Sequence, residues 1–187
     1  KKPLHIPLRL GLVGANGQDL DLALDNGTAV ADGIVHVTKR SQVFRFTGMT
    51  SRPVPSLLRG FSAPVNMTID LSDTDLAFLM ANDSDLYNRW QAVQTYAART
   101  MIASVRALRA GERMPRATIF AEALGATLAN DGLRPAYRAQ LLSLPSESDI
   151  AREIGTDVDP VAIHKARGAL RKQVGQTLGD QLEVIYR

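Results

Sequence analysis

The 187-residue chain weighs 20.3 kDa, is 45% hydrophobic and 22% charged, and carries a net charge of +3 with no cysteine. A chain of this size buries enough surface to fold without a disulfide or metal staple. The missing cysteine excludes a disulfide framework, a thiol nucleophile and cysteine-ligated zinc. No apolar run approaches the ~18 residues of a membrane span. Residue 1 is Lys with no signal-peptide pattern after it, so the chain is expected to begin inside a longer product.

Charge is unevenly placed. Residues 1–71 hold eight Lys/Arg, five Asp and no Glu, whereas residues 72–187 hold fourteen of each sign. The second part, where a nucleic-acid-binding stripe would be expected, is therefore neutral, and aromatic stacking platforms are scarce. Neither nucleic acid nor a membrane is an expected partner.

In chain order, Leu8, Leu10 and Leu12 alternate with Arg9, Gly11 and Val13. A turn at Ala15-Asn16-Gly17 and a return strand over Leu20, Leu22 and Leu24 follow, closed by Asn26-Gly27. Asn-Gly between alternating runs is a strong hairpin signal, because both turn positions tolerate positive φ. Further strands are predicted at Ile34–Val37, Val43–Phe46 and Val65–Leu71. Arg52-Pro53-Val54-Pro55 is predicted to be edge or loop, since proline cannot donate to a central ladder. Short strands at this spacing predict a small β-sandwich.

From Ser72 the pattern turns helical. Ser72 with Asp75 and Ser146 with Asp149 read as capping boxes. Met114-Pro115, Arg134-Pro135 and Asp159-Pro160 read as helix starts. Leu86, Trp90, Val93, Ala97, Met101, Val105 and Leu108 form one helical face ended by Ala110-Gly111, and Trp90 on it is expected to be a buried anchor. Ile163, Ala166, Leu170, Val174, Leu178, Leu182 and Ile185 form the face of the last helix. Six helices with short links predict an antiparallel bundle. The boundary is placed at Leu71-Ser72, giving a sandwich over 1–71 and a helical part over 72–187 with almost no linker.

The chemistry is thin. His5, His36 and His164 form no H-E-x-x-H motif and lie on separate elements. A metal held by His164 with Asp157 and Asp159 is weaker than the ordinary reading of an exposed histidine at a helix start. Asp19, Asp21 and Asp25 lack the calcium-loop pattern, and strand alternation accounts for their spacing. Asp73/Asp75 and Asp83/Asp85 read as helix caps. No glycine run cradles phosphate, and no serine sits in a nucleophile elbow. The expected catalytic, substrate-binding and metal residues are therefore none.

Two stretches carry a resemblance. Pro-Val-Pro-Ser-Leu-Leu-Arg-Gly-Phe-Ser-Ala-Pro-Val at 53–65 resembles a signature of bacterial aminopeptidase N, the zinc-dependent alanyl aminopeptidases of the gluzincin type. Asn-Arg-Trp-Gln-Ala at 88–92 is similar to the segment on the long helix that follows it. The opening Pro-Leu-His-Ile-Pro-Leu-Arg-Leu-Gly-Leu-Val, Leu144-Pro145-Ser146 and Asp159-Pro160-Val161-Ala162-Ile163 fit in the same order. The resemblance implies an Ig-like β-sandwich domain followed by the start of an α-superhelical C-terminal domain. It also implies a bacterial, cytoplasmic parent with separate N-terminal and catalytic domains as intramolecular partners and peptides as substrates. The family's H-E-x-x-H, downstream Glu and G-x-M-E-N motifs are absent here, so zinc belongs to the parent's catalytic domain and no site residue transfers to this chain. The expected role is spacer and part of the wall capping the catalytic chamber. A free-standing protein-interaction adaptor and a sugar-binding or cell-surface sandwich are the competing expectations.

Overall fold

A computed structural model describes residues 3–185. By contact the chain divides into two compact units, the first ending at Arg89 and the second beginning at Trp90.

The first unit is built on a three-stranded antiparallel sheet of order β2-β1-β3, with β1 at Ile6–Val13, β2 at Ile34–Val37 and β3 at Val54–Leu57. β1 shares its length between its neighbours: Ile6 to Arg9 pair with β2, and Leu10 to Val13 pair with β3. Leu10, Leu12 and Val35 form its core, and Leu8, Leu22, Val30, Phe44 and Phe46 pack against them. Both Asn-Gly turns form as predicted. Gly17 and Gly27 take φ of 77° and 79°, and the Asn16 and Asn26 side chains accept from the amides of Gln18 and Thr28.

Three strand predictions need correction. The run 20–24 and the run 43–46 are not full strands. They meet the rest of the fold through single bridges, Val13 with Asp19, Ala23 with Ala29, and Leu24 with Phe46. The stretch 65–71 carries no strand, whereas Val54–Leu57 does. Pro55 explains the position of β3: a strand bearing proline serves as an edge, and the ladder stops there.

Helix α1, Asp73–Asn82, opens on the predicted box: the Ser72 hydroxyl accepts from the Asp75 amide at 3.0 Å and the Asp75 carboxylate accepts from the Ser72 amide at 3.1 Å. Helix α2, Leu86–Arg109, starts within the first unit and runs into the second. At its far end Gly111 takes φ of 70°, Glu112 N donates to Ala107 O and Gly111 N to Leu108 O. These two bonds satisfy carbonyls that the last turn would leave open.

The second unit adds α3 (Thr118–Leu128), α4 (Pro135–Leu141), α5 (Glu147–Ile154) and α6 (Pro160–Ile185). Pro135 and Pro160 open their helices as expected, and Ser146 with Asp149 forms the second capping box. Pro115 does not open one: α3 begins at Thr118, and the Ala117 amide donates instead to the Gln173 side chain of α6 at 2.8 Å. The core is apolar. Val93, Ala97 and Met101 of α2, Phe120, Leu124 and Leu128 of α3, Leu141, Ile150 and Ile163 are almost fully enclosed. Tyr96 meets Phe120 edge to face at 5.4 Å.

Candidate functional site

The densest polar chemistry lies inside the 53–65 signature. Leu58, Gly60 and Phe61 all have left-handed backbones, with φ of 57°, 60° and 53°. For Leu and Phe such angles cost about 1–2 kcal/mol each and persist only where the surroundings impose them. Arg59 imposes them here. Its Nη1 and Nη2 donate to the two Asp19 oxygens, both at 2.8 Å, Nη2 also donates to Asp83 Oδ1 at 2.9 Å, and Nε donates to Ser56 Oγ at 2.9 Å. Gly60 N donates to Asp85 Oδ2 at 3.0 Å, which pins the turn to the start of α2.

The supporting contacts extend this cluster in every direction. Asn88 of α2 donates to Ser56 Oγ and to Leu57 O, both at 2.8 Å, and Arg89 Nε donates to Asp83 O at 2.9 Å. Ser84 donates to Asp19. On β1, Gly11 leaves the space that the guanidinium fills: a Cβ there would stand 2.1 Å from Arg59 Cζ. Gly11 faces Ser56 in the β1–β3 register, so the strand pairing and the arginine's seat are one arrangement.

The two aspartates differ in environment. The Arg59 hydrogen bonds hold the half-exposed Asp19 carboxyl below the usual carboxylate range. Burial pushes the enclosed Asp83 carboxyl up, against the pull of Arg59. Asp83 Oδ2 and Arg89 Nη1 are buried without a hydrogen-bond partner among the described residues. A cleft of about 420 Å³ opens beside the cluster, lined in part by Arg9, Asp19, Asp21, Asp32, Arg59 and Ser84.

What this arrangement can do chemically follows from its donors. Arg59 spends its fork on Asp19, Asp83 and Ser56, so it is already occupied and does not present a free clamp to a carboxylate ligand. No histidine lies among these partners to move a proton, and Ser56 receives from both Arg59 and Asn88 rather than from a base-activated contact. The cluster is built to hold backbone.

The sequence-predicted residues fall as follows. Asp85 is the cap expected of it, accepting from Asn88 N at 2.9 Å, but Asp83 is the buried partner of Arg59 rather than a simple cap. Asp159 caps α6 by accepting from Ala162 N at 2.9 Å, and Asp157 pairs with Arg109. His164 sits against Glu147 at 2.9 Å, not against those aspartates. His5 and His36, expected on separate elements, meet with ring nitrogens 2.8 Å apart. Trp90 is half-buried rather than enclosed, and it lines a groove of about 410 Å³ with Gln94, Pro145 and Ile150. Among the described residues no group of three or more His, Cys, Asp or Glu could hold a metal ion, and no helix is long and apolar enough to cross a membrane. Arg59 itself escaped residue-level reading. The available signal was a glycine at an inward strand position, Gly11, together with an arginine between apolar residues and a glycine.

Two families match along the chain. Residues 1–70 match the domain of unknown function DUF3458, described as an Ig-like fold, and residues 73–187 match DUF3458_C, described as ARM repeats. Aminopeptidase N of Escherichia coli (strain K12) is 34% identical over 186 residues, covering 100% of this chain and 21% of that protein. Aminopeptidase N of Caulobacter vibrioides is 40% identical over 167 residues, covering 86% of this chain and 19% of that protein. The crystal structure of Legionella pneumophila aminopeptidase A in complex with aspartic acid superposes with a TM-score of 0.77 at 27% identity, over 97% of this chain and 20% of that one. The chain thus spans about a fifth of the length of the curated relatives it matches. With the match running the length of the chain, the protein belongs to the DUF3458_C family, carrying a DUF3458 Ig-like domain followed by a DUF3458_C ARM-repeat domain, and is similar along its whole length to a segment of bacterial aminopeptidase N.

Proposed function

We propose that this chain is a non-catalytic segment of a zinc metallo-aminopeptidase, an enzyme that removes N-terminal amino acids from peptides. In this reading it is a spacer and part of the wall around the catalytic chamber. Its partners are the parent's N-terminal and catalytic domains, the catalytic zinc belongs to the catalytic domain, and the parent works in the bacterial cytoplasm. The homologous domains divide at 71/72. The observation that carries the reading is the alignment of the whole chain with about a fifth of aminopeptidase N. The self-satisfied Arg59 cluster supports it, because its donors serve the fold rather than a ligand.

The test is to assay the purified chain on an alanine-anilide substrate and to measure zinc after exhaustive dialysis. The expected result is turnover at the buffer blank and no retained zinc. A catalytic zinc takes three protein ligands and keeps an open position for water. Turnover that survives repurification, accompanied by one retained zinc per chain, overturns the reading.

A further inference from the structure

We propose that His5 and His36 form a two-imidazole chelate for a late first-row transition ion, of the Cu²⁺, Ni²⁺ and Zn²⁺ class. His36 lies on β2 opposite Pro7 of β1, and His5 stands two residues before Pro7. Residues opposite in an antiparallel pair share a face, and alternate residues along a strand return to it. Both imidazoles therefore project from the same outward side, where His5, Pro7 and His36 are all exposed.

The spacing matches the chemistry. His5 Nε2 and His36 Nδ1 are 2.8 Å apart, with ring planes inclined at 63°. Two imidazole nitrogens bound to one ion at about 2.0–2.1 Å, at mutual angles of about 90–109°, stand roughly 2.9–3.4 Å apart. Replacing the shared proton by an ion therefore asks for only a few tenths of an ångström of movement. Imidazole nitrogen suits copper, nickel and zinc, whereas calcium and magnesium prefer oxygen donors.

The backbone under the pair is held in place. Gln42 Nε2 donates to His36 O at 3.0 Å, while Gln42 Oε1 accepts from Thr38 N at 2.9 Å and Lys39 N at 3.3 Å. Pro7 fixes its own φ and restricts Ile6 before it. Less ordering is then needed on binding, which is what lets two ligands act as a chelate rather than as independent weak sites. Water fills the remaining coordination positions. Because the site offers two protein ligands, it gives up its ion on dialysis and is separable from the retained zinc tested above.

The experiment is calorimetric titration of the full 187-residue chain with CuCl₂, NiCl₂, ZnCl₂ and CaCl₂, in the parent sequence and in His5→Ala, His36→Ala and His164→Ala. One equivalent is expected, with Cu²⁺ tightest and no heat from Ca²⁺. Each of His5→Ala and His36→Ala should weaken Cu²⁺ affinity by at least about tenfold, since one remaining imidazole cannot chelate. His164→Ala should bind as the parent does. As an independent measurement, substoichiometric Cu²⁺ should broaden the amide signals of Ile6 and Val37 before those around His164. A loss below tenfold in either single variant, or broadening that starts at His164, overturns the proposal.

Discussion

The two units solve the same problem with different materials. Of the twelve largest fully enclosed side chains, nine lie in the second unit, and the first contributes only Val13, Met80 and Asp83. Its buried polar residues run the other way: Ser56, Arg59, Asp75, Asp83 and Arg89 in the first unit, against Ser104 and Thr127 in the second. Those two hydroxyls donate to carbonyls one turn back in their own helices, at 2.9 and 2.8 Å, and ask nothing of the tertiary structure. Arg59, in contrast, joins residues 40 and 24 positions away in the chain. A small sheet with few large side chains leaves a shortage of apolar contact, and here a charged cluster fixes β1, β3, α1 and the start of α2 together. The comparison teaches that specificity in the first unit is polar, and that a buried charge makes the arrangement intolerant of partial removal.

The largest effect should come from breaking that cluster asymmetrically. Arg59→Met leaves the Asp83 carboxylate buried with no cation and should cost about 3–5 kcal/mol, confined to the first unit. Urea unfolding followed by amide hydrogen exchange checks this: amides of β1 and β3 should lose protection while those of α3 and α6 keep theirs. Adding Asp19→Leu and Asp83→Leu should return much of the stability, because the unpaired charge is then gone. A cost under about 1 kcal/mol for Arg59→Met would break the comparison.

A smaller effect is expected where the cluster is displaced rather than unpaired. Gly11→Ala puts a methyl 2.1 Å from Arg59 Cζ, so the guanidinium must shift from Asp19 and Ser56. Overpacking of this kind costs about 1–3 kcal/mol. Combined with Arg59→Met, the alanine should cost little, since the group it strikes has been removed; a double-mutant cycle measures that coupling. Additivity of the two would mean that Gly11 matters for another reason.

The smallest effect is on acid sensitivity. Arg59 hydrogen bonds depress the Asp19 carboxyl, and at Asp75 burial pushes upward but the Ser72 hydroxyl and the Arg52 guanidinium outweigh it. A carboxyl whose folded value lies below its unfolded one contributes stability that is present above the unfolded value, about pH 3.9, and is lost as pH falls through the folded value. Burial moves Asp83 the other way, so its contribution is present at low pH and lost as pH rises through its raised folded value, offsetting part of this loss. The first unit should therefore lose a modest amount of stability below about pH 4, under about 1 kcal/mol per solvent-accessible pair. Pair-by-pair comparison with Asp19→Asn, which should flatten the acid limb, checks the sign; an unchanged limb would count against the Asp19 pairing.

How much of this was legible in advance divides along physical lines. Both capping boxes, both Asn-Gly turns, the glycine stop after α2 and the helix starts at Pro135 and Pro160 are local chemistry: the groups that satisfy each other lie within about five residues, so spacing alone reveals them. The buried stripe on α6 from Ile163 to Leu178 follows from a 3.6-residue period, but Leu182 and Ile185, placed on the same face, are only half-buried. Alternation at 43–46 and 65–71 misled, because it states which face is apolar but not whether a neighbouring backbone is there to pair with it.

What the chain by itself determined is thus the order of its helices, the strands at 6–13 and 34–37, where most helices begin and end, and the absence of any recognisable catalytic motif. Tertiary structure alone decided that Arg59 would find Asp19 and Asp83, that His5 would meet His36 across two strands, and that compaction would divide at Arg89 rather than at the change in composition near residue 71. Those contacts join positions 24 to 40 residues apart, and no local periodicity specifies them. They depend on which strands pair and in what register, a choice made by the burial of the sheet as a whole.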